Sequence, residues 1–245
     1  MLKSRLIAVL FLMDGMIVQS KKFHEHKVIG NPVEELARFS EWGVDELVYL
    51  DISRKPDFPR TLAILERVAN HAFMPLTFGG NIKTLDQIGA LIQGGADKVL
   101  INTAAFKNRD VMIREASRKF GSQAVVAGID TDGDRIFINQ GREPLNMGAV
   151  DWAAIAERKG AGEIMLNFID RDGTRLGYDL DCIRRVSGSV NIPVIACGGA
   201  GQPEHFAEGL RAGAHAVAGG NYFHFTENAY RRAKKYLKDE GFKMR

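Results

Sequence analysis

Two acidic residues stand at the ends of apolar segments that have the pattern of buried strands. Asp130 follows AVVAGI at 124–129, and Asp170 follows EIMLNFI at 163–169. Acids at strand ends are natural general acids or bases. Each could instead cap a helix or pair with a neighbouring arginine or lysine, and Asp51, at the end of a third segment, is a weaker candidate. We predict catalytic roles for Asp130 and Asp170.

Glycine-rich turns offer a second kind of chemistry. Such turns follow four of the apolar segments: Gly79-Gly80-Asn81, INTAA at 101–105, Gly198-Gly199-Ala200-Gly201 and GGNYF at 219–223. Glycine lets backbone N–H groups approach an anion closely, and the start of a short helix adds a favourable partial positive charge. A single Gly-Gly pair is more often only a tight turn. Four such turns in two pairs predict two phosphate sites, which suit a ligand with a phosphate at each end.

Charged residues stand at or near the starts of four apolar segments. They are Arg5, Glu46, Lys98 and Glu163. Parallel strands that closed into a barrel would bring their starts to one opening, and these side chains would form a ring of alternating sign there. We call this group the charged ring. A stabilising ion-pair network is the usual interpretation of charge at that end of a barrel.

Alternating strands and helices must position these residues. We predict strands at 5–12, 46–51, 74–78, 97–101, 124–129, 163–169, 192–196 and 215–219. We predict helices at about 32–42, 60–72, 84–94, 108–119, 149–159, 179–189, 203–212 and 226–240. Eight apolar strands that alternate with eight helices are the pattern of a closed parallel (β/α)8 barrel, with an open doubly wound sheet as the alternative.

An internal repeat favours the barrel. The segment MPLTFGG at 74–80 matches IPVIACGG at 192–199, and two further pairs of segments share an offset close to half the chain. We therefore predict an α/β fold in which a single (β/α)8 TIM barrel over 1–245 consists of two similar half-barrels, about 1–120 and 121–245. In such barrels the chemistry lies at the C-terminal strand ends and the loops after them.

Composition narrows the class of protein. The chain has 245 residues, of which 45% are hydrophobic and 26% charged, as in ordinary globular proteins. Two cysteines without a CxxC spacing argue against a structural metal or a disulfide framework and favour a reducing, cytoplasmic location. No apolar run approaches the roughly 20 residues of a membrane span. A net charge of +3 is too small to indicate nucleic acid. We expect no metal and no other cofactor.

Several segments resemble the cyclase subunit of imidazole glycerol phosphate synthase, over nearly the whole chain. They are DELVYLDI, PLTFGGNI, GADKVLINTAAF, FGSQAVVAGID, GAGEIMLNFIDRDGTRLGYD, IPVIACGGAGQPEHF and FHF. In that family a glutaminase partner makes ammonia, which passes through the barrel and reacts with a bis-phosphate ribulosyl intermediate. Imidazole glycerol phosphate and an aminoimidazole carboxamide ribotide result. The resemblance implies the same duplicated barrel.

The resemblance also implies roles for individual residues. Asp130 and Asp170 match acids of the family's active site, and Asp97 matches a residue on the face that binds the glutaminase. One phosphate would be held by Gly79, Gly80, Asn102 and Thr103, and the other by Gly199, Gly220 and Asn221. The charged ring of Arg5, Glu46, Lys98 and Glu163 matches the gate through which ammonia enters the barrel.

Departures from the family fall at the C-terminal strand ends. Phe11 stands where the family has an Asp that partners the strand 5 acid, and Gln19 stands where it has a lysine. Asn167-Phe168 replace a Thr-Ser pair, and Asn81 replaces a common glycine. Removing a catalytic acid or base typically costs about 10²–10⁴ in rate. The resemblance therefore implies weakened cyclase chemistry beside an unchanged gate.

Three functions remain open. We favour a subunit that receives ammonia from a glutaminase at its N-terminal face and delivers it to another amidotransferase, as in divergent relatives that make acetamidino sugars. The alternatives are an authentic cyclase of histidine biosynthesis, which is a lyase, and a non-catalytic phosphate-binding scaffold. We expect a phosphorylated small molecule, and a third protein under the first hypothesis. We also expect the phosphate site after strands 7 and 8 to bind better, because its GGAG turn is intact.

Overall fold

The computed structural model describes residues 3–107, 111–133, 135–225 and 228–245. The strands along these residues are β1 (Arg5–Met13), β2 (Met16–Lys21), β3 (Glu25–Gly30), β4 (Glu46–Asp51), β5 (Leu76–Gly79), β6 (Lys98–Ile101), β7 (Val125–Asp132), β8 (Arg135–Ile138), β9 (Glu143–Gly148), β10 (Glu163–Phe168), β11 (Val194–Cys197) and β12 (Ala216–Gly219). The α-helices are α1 (Pro32–Trp42), α2 (Phe58–Ala69), α3 (Leu85–Gln93), α4 (Thr103–Lys107), α5 (Val111–Phe120), α6 (Ala149–Arg158), α7 (Leu180–Ser187), α8 (Pro203–Arg211), α9 (Asn221–His224) and α10 (Ala229–Asp239).

A closed barrel of parallel strands forms the centre of the molecule. Its strands follow the order β1, β4, β5, β6, β7, β10, β11 and β12 within the described residues. The barrel closes because β12 pairs in parallel with β1, with Arg5 opposite Ala216. The predicted TIM barrel is therefore confirmed, and the open sheet is excluded. No helix among the described residues is long and apolar enough to cross a membrane.

Local signals in the sequence start the outer helices where the barrel needs them. The side chain of Asn31 accepts a hydrogen bond from the N–H of Val33 at 2.9 Å, and Pro32 opens α1. Such a cap satisfies a backbone donor that the first helical turn leaves free. Asp179 caps α7 in the same way, accepting from Cys182 at 2.9 Å. The predicted helix and strand ends agree with the structure to within about three residues where both are described, and 108–110 and 226–227 lie outside the described residues.

Two antiparallel hairpins were missing from the prediction. The β2–β3 hairpin follows β1, and the β8–β9 hairpin follows β7, so each half of the chain extends its first barrel strand in the same way. The outer strand β3 is almost wholly exposed or half-buried, so it lacks the alternation of apolar and polar residues that marks a half-buried strand. Both hairpins lie at the C-terminal end of the barrel.

The tip of the first hairpin has an unusual backbone. Lys22 and Phe23 take positive φ values of 51° and 57°, and the N–H of His24 donates to the carbonyl of Lys21 at 3.1 Å. Turns of this shape usually contain Asn or Gly, which tolerate positive φ. Asp172, in the loop after β10, accepts from the Lys22 N–H through its carbonyl at 2.9 Å. A contact from another part of the barrel therefore holds the tip.

Apolar residues fill two separate layers. One lies between the barrel strands and the outer helices, and the other lies inside the barrel. Leu100 occupies the inner layer between Gly79 of β5 and Gly128 of β7. A Cβ at Gly79 would lie 2.7 Å from the Cβ of Leu100, and one at Gly128 would lie 2.7 Å from its Cδ2. The two glycines therefore make room for the leucine side chain.

Candidate active site

The charged ring closes the N-terminal opening of the barrel, which we call the N-terminal mouth. Arg5 lies 2.6 Å from Glu46 and 2.9 Å from Glu163. Lys98 completes the ring, at 3.0 Å from Glu46 and 3.0 Å from Glu163. The four residues come from β1, β4, β6 and β10, and their side chains meet because the starts of parallel strands share one end of the barrel. Each charge in the ring therefore contacts two of the opposite sign.

Neighbouring charges favour the ionised forms of Glu46 and Arg5 in the ring. Burial alone would raise the pKa of the Glu46 carboxyl, but Lys98 and Arg5 outweigh it and hold that pKa below its usual value. For Arg5, burial works against the charged form, yet Glu163 and Glu46 raise its pKa overall. Glu46 is only 1% exposed and also accepts a hydrogen bond from Thr77 at 3.1 Å. The ring is therefore a compact barrier with compensated charge.

Two exposed residues flank this mouth. The carboxylate of Asp97 accepts a hydrogen bond from the N–H of Leu76 at 2.8 Å, so it fixes the start of β5 and remains at the surface. Phe73, in the loop between α2 and β5, is 94% exposed. A large aromatic side chain in water has an unfavourable hydration free energy, and such residues often mark contact surfaces. The sequence argument had missed Phe73.

A cavity of about 430 Å³ opens at the C-terminal ends of β4, β5, β6, β7 and β10. We call it the main cavity, and this end of the barrel the C-terminal mouth. Of the predicted site residues, Gly80, Asn102, Thr103 and Asp130 line it. Four cationic residues that the prediction had missed also line it: Arg54, Lys83, Lys107 and Arg142. Each of the four follows a predicted strand end, and this position could have indicated a role in the site. Lysines and arginines are common in any surface loop, however, so the position alone did not select them.

Asp130 is held at this cavity by two asparagines. Its Oδ2 accepts from the side-chain amide of Asn102 at 2.8 Å, and its Oδ1 accepts from that of Asn167 at 2.9 Å. Burial raises the pKa of Asp130 to about 6, although both hydrogen bonds act in the opposite direction. A carboxyl with this pKa can exchange a proton near neutral pH. The amide of Asn102 therefore serves Asp130, and the prediction had assigned it to phosphate.

Hydrocarbon occupies the position where the resemblance implies a second acid. Phe11 is 4% exposed and packs edge to face on Phe23, with ring centroids 5.3 Å apart. Phe23 lies at the tip of the β2–β3 hairpin and lines the main cavity. Phe11 therefore anchors the hairpin over the C-terminal mouth, and its side chain has no group that can transfer a proton.

Asp170 lies apart from Asp130. It lines a neighbouring cavity of about 260 Å³, the side cavity, together with Phe23 and Asp132. Burial and the nearby Asp132 raise the pKa of Asp170, and Arg171, 4.0 Å away, partly offsets them. The main cavity does not include Asp170 among its described lining. The structure thus separates the two predicted catalytic acids into adjoining cavities.

The residues predicted to bind phosphate after strands 3 and 4 do not all line the main cavity. Gly80 has a φ of +86°, and a Cβ there would lie 2.1 Å from the carbonyl oxygen of Asp51, so only glycine fits. Thr103 accepts a hydrogen bond from the N–H of Asn139 at 2.9 Å. Gly79 does not line the main cavity and has the packing role beside Leu100. Gly80 and Thr103 remain the stronger anion candidates of this group.

Asn81 keeps the shape of the turn after β5. Its φ is 54°, a left-handed value that asparagine tolerates better than most residues. Its amide donates to the carbonyls of Asp51 at 3.1 Å and Ser53 at 3.0 Å, and it accepts from Gln140 at 3.1 Å. The residue that replaces the family's glycine therefore ties this turn to the second hairpin.

The residues predicted to hold the second phosphate lie outside the main cavity. Gly199 is covered by the loop after β10, because its carbonyl accepts from the N–H of Gly177 at 2.9 Å. The amide of Asn221 donates to the carbonyl of Ser20 at 2.6 Å, and a Cβ at Gly220 would lie 3.0 Å from the carbonyl oxygen of Val9. The main cavity thus favours the first pair of turns, whereas the sequence had favoured the second. Phosphate binding by either pair stays a prediction.

The sequence of this chain has relatives among known proteins. A family model described as "Histidine biosynthesis protein" matches residues 5–229. The Imidazole glycerol phosphate synthase subunit HisF of Metallosphaera sedula is 44% identical over 249 residues, covering 98% of each chain. The protein of the same name from Natranaerobius thermophilus is 42% identical over the full length of both chains, and that of Thermococcus onnurineus is 39% identical over 100% of this chain and 99% of the relative. The chain therefore belongs to the histidine biosynthesis protein family, as a cyclase-type barrel similar to the HisF subunits of imidazole glycerol phosphate synthase.

Proposed function

We propose that this barrel is the ammonia-delivering subunit of a glutaminase-coupled enzyme, and that its own cyclase chemistry is weakened. One contrast carries the proposal: the charged ring is complete, whereas Phe11 places hydrocarbon where the family's second acid would stand. The ring supports entry of ammonia at the N-terminal mouth. The C-terminal mouth retains Asp130 as the acid at the main cavity, with Asp170 in the side cavity.

The interior of the barrel suits neutral ammonia. Between the two mouths lie apolar side chains, among them Val9, Val48, Leu50, Val126 and Met165. Moving an ammonium ion through such a layer would require its desolvation without a compensating charge, which costs far more than moving a neutral molecule. The ring excludes other solutes at rest, and separation of an ion pair such as Lys98–Glu163 would open it.

A glutaminase fits the surface around the charged ring. The curated relatives are named as subunits, so they act within a larger enzyme. On this chain, Phe73 supplies an exposed aromatic anchor and Asp97 an exposed acid at the N-terminal mouth. Aromatic anchors at the centre of an interface commonly dominate binding. We infer that the glutaminase covers Phe73 and delivers ammonia directly above the ring.

The opposite end of the barrel supports two further partners. Arg54, Lys83, Lys107 and Arg142 give the main cavity a positive rim, which suits a phosphorylated small molecule. Exposed apolar side chains also occur in the segments that follow barrel strands at this end: Met16, Val28, Met147, Leu176 and Phe225. They are the surface on which an amidotransferase that accepts the ammonia would bind.

The experiment that tests the proposal combines the purified chain with its cognate glutaminase. We expect a complex by gel filtration, a change in glutamine turnover, and negligible imidazole product from the bis-phosphate ribulosyl substrate supplied with glutamine or with ammonium salt. Absence of a complex together with unchanged glutamine turnover would overturn ammonia delivery and favour the phosphate-binding scaffold.

A second candidate function has its own support. Identity of 39–44% over essentially the whole chain is shared with proteins named for imidazole glycerol phosphate synthase. Asp130, with its pKa near 6, also stands at a cavity large enough for a small substrate. Formation of imidazole product at about 1 s⁻¹ or faster, an ordinary enzyme rate, would identify the chain as an authentic cyclase that tolerates Phe11.

A further inference from the structure

Three polar side chains meet where β6, β7 and β10 end. Asp130 lies in the centre, with Asn167 directly opposite it in the β10–β7 register and Asn102 just beyond β6. We call this group the acceptor cluster. Its two asparagines each donate one hydrogen bond to the carboxylate of Asp130, at 2.8 and 2.9 Å. The hydrogen bonds fix the orientation of all three side chains.

The acceptor cluster has more hydrogen-bond acceptors than hydrogen-bond donors. The Oδ1 atoms of Asn102 and Asn167 are buried and have no hydrogen-bond partner among the described residues. Asn167 is only 4% exposed. Within the same described residues, no lysine, arginine or histidine forms an ion pair with Asp130. Buried polar atoms without partners are rare in folded proteins and indicate a missing ligand or solvent molecule.

The chemistry of the cluster selects the kind of ligand. A carboxylate and two carbonyl oxygens need N–H or O–H donors, and the negative charge of Asp130 favours a cation in direct contact with it, although Arg54, Lys83, Lys107 and Arg142 line the same cavity. An anion such as phosphate has mostly acceptors and would be repelled by the Asp130 carboxylate. Ammonium carries a positive charge and four N–H donors on one small centre, so it can satisfy both orphan oxygens and the carboxylate together. The three side chains line the main cavity, which supplies the space.

We propose that Asp130, Asn102 and Asn167 form a holding site for ammonium at the C-terminal mouth of the barrel. The site rests on the proposed delivery of ammonia through the interior. Ammonia that reaches the solvent-accessible cavity forms an N–H bond with a proton from the solvent, whose charge balance the bulk buffer restores, and is retained there as ammonium instead of diffusing into bulk water.

Release follows from the same geometry. When an electrophilic acceptor occupies the cavity, an N–H bond of ammonium breaks, its proton passes to the Asp130 carboxylate, and an O–H bond forms. The electron pair of the broken bond stays on nitrogen, which is then neutral ammonia and can attack. Because burial raises the pKa of Asp130 to about 6, it is a stronger base than an ordinary aspartate. Asn102 and Asn167 position this base without taking part in the proton transfer.

The test is a titration of the full chain with ammonium chloride at constant pH and ionic strength, followed by the side-chain amide NMR signals of the asparagines. We expect the Asn102 and Asn167 signals to shift together and to saturate. Tetramethylammonium, with the same charge and no N–H donor, is expected to leave both signals unmoved. Potassium chloride is the second control. No saturable shift with ammonium, or an equal shift with potassium, would overturn the proposal.

Variants separate the cluster from a surface effect. Asn102→Ala is expected to weaken ammonium binding about tenfold, which is about 1.4 kcal/mol. Asn167→Leu, which keeps the volume of the buried side chain, is expected to do the same. Asn191→Leu, at an exposed position, is the matched control and is expected to bind ammonium as the unaltered chain does. If neither cluster variant weakens binding, the site lies elsewhere.

The titration needs no glutaminase, so the two proposals fail separately. Ammonium binding without glutaminase coupling would leave the holding site standing and remove ammonia delivery. Coupling without ammonium binding would leave delivery standing and remove the holding site.

Discussion

The two mouths of the barrel treat charge in opposite ways. At the N-terminal mouth, every member of the charged ring contacts two partners of opposite sign, between 2.6 and 3.0 Å apart. At the C-terminal mouth, the partners of Asp130 among the described residues are two neutral amides, whose own oxygens have no partner there. The pKa of Glu46 is consequently lowered, whereas that of Asp130 is raised. Glu46 is buried and Asp130 is half-buried, and burial raises the pKa of both carboxyls, so the opposite net shifts arise from their partners.

This difference separates a structural use of charge from a chemical one. The paired charges of the ring stabilise the closed N-terminal mouth, and an ion pair must separate before that mouth can open. An uncompensated carboxylate costs free energy in the folded chain, and that cost is recovered when a ligand of opposite charge binds. Removal of the charge of Glu46 and removal of the charge of Asp130 should therefore change stability in opposite directions.

Replacement of the hydrocarbon at the C-terminal mouth should have the largest effect. Phe11→Asp removes the contact with Phe23 and buries a second carboxylate, so we expect the free energy of unfolding to fall by about 3–5 kcal/mol, as for other large buried aromatics. Urea unfolding followed by circular dichroism measures this change. Phe11→Leu is the control and should cost less.

The same variant tests the loss of cyclase activity. Phe11→Asp returns one carboxylate but leaves Gln19, Asn167 and Phe168 in place. Residues that act as a unit are strongly non-additive, so a single repair should recover only part of the rate. A full ordinary rate of imidazole product from Phe11→Asp would show that one residue alone separates this chain from the cyclases.

Removal of one ring member should have the next largest effect. Glu46→Ala leaves Arg5 and Lys98 with Glu163 as the one carboxylate of the ring that they still share. Loss of one side of a buried ion pair typically costs about 3 kcal/mol or more. Glu66→Ala, on the exposed side of α2, is the matched control. An equal, small change in both variants would contradict the picture of a cohesive ring.

The pH dependence of the ring has a definite sign. Because the pKa of Glu46 is lower in the folded chain than its usual value of 4.5, its contribution to stability is present above that pH. The contribution is lost as the pH falls through the lower, folded value. The stability difference between the unaltered chain and Glu46→Ala should therefore shrink in acid.

The contribution of Asp130 to stability should depend on pH in the opposite direction. Its folded pKa of about 6 lies above the usual 3.8, so ionisation costs stability once the pH rises through that range. Asp130→Asn should therefore raise the free energy of unfolding at pH 8 by roughly 1–3 kcal/mol, at about 1.4 kcal/mol per pKa unit. The gain should be much smaller at pH 4.5. A gain of the same size at both pH values would place its origin in packing.

The smallest effect on stability is expected at the rim of the N-terminal mouth. Phe73 is 94% exposed, so Phe73→Ala should leave the free energy of unfolding within about 0.5 kcal/mol. The same variant should weaken glutaminase binding at least about tenfold, as measured by titration of glutamine turnover. Phe225→Ala, at the opposite mouth and 48% exposed, is the control. Equal effects of the two variants on glutaminase binding would remove the assigned docking face.

Much of the fold could be predicted because it depends on local patterns. Buried strands such as RLIAVLFLM and capped helices such as the one after Asn31 are visible in single segments. The turn of the β2–β3 hairpin could not be found in this way, since Lys22 and Phe23 take positive φ values that their side chains do not favour. Contacts with Asp172 and Phe11 hold that turn, and such contacts join distant parts of the chain. Asp14-Gly15, in the turn between β1 and β2, is a local hairpin signal that the prediction did not use.

The residues of the candidate site could be predicted in part, but their contacts could not. Residue types at strand ends were enough to select Asp130 and the four members of the charged ring. The partners of Asp130 depend on rotamers across three strands, so the hydrogen bond from Asn102 to Asp130 could not be predicted, and the phosphate role that the resemblance implies for Asn102 stays a prediction. The preference of the cavity for one pair of turns depends on contacts such as Gln140 with Asn81, 59 residues apart. Superposition of the two half-barrels stays a prediction.

The packing of Leu100 also restricts the order in which mutations can accumulate. A Cβ at Gly128 would clash with the side chain of Leu100 and would make an ordinary contact of 3.5 Å with the Cβ of Asn102, so Gly128→Ala becomes permissible once residue 100 has shortened. A Cβ at Gly79 would also lie 2.8 Å from the backbone oxygen of Leu100, which no substitution at 100 removes. Glycine is thus required at position 128 only while residue 100 has a large side chain, whereas at position 79 the backbone itself requires glycine. A lineage that acquires a side chain at position 128 must therefore first shorten residue 100.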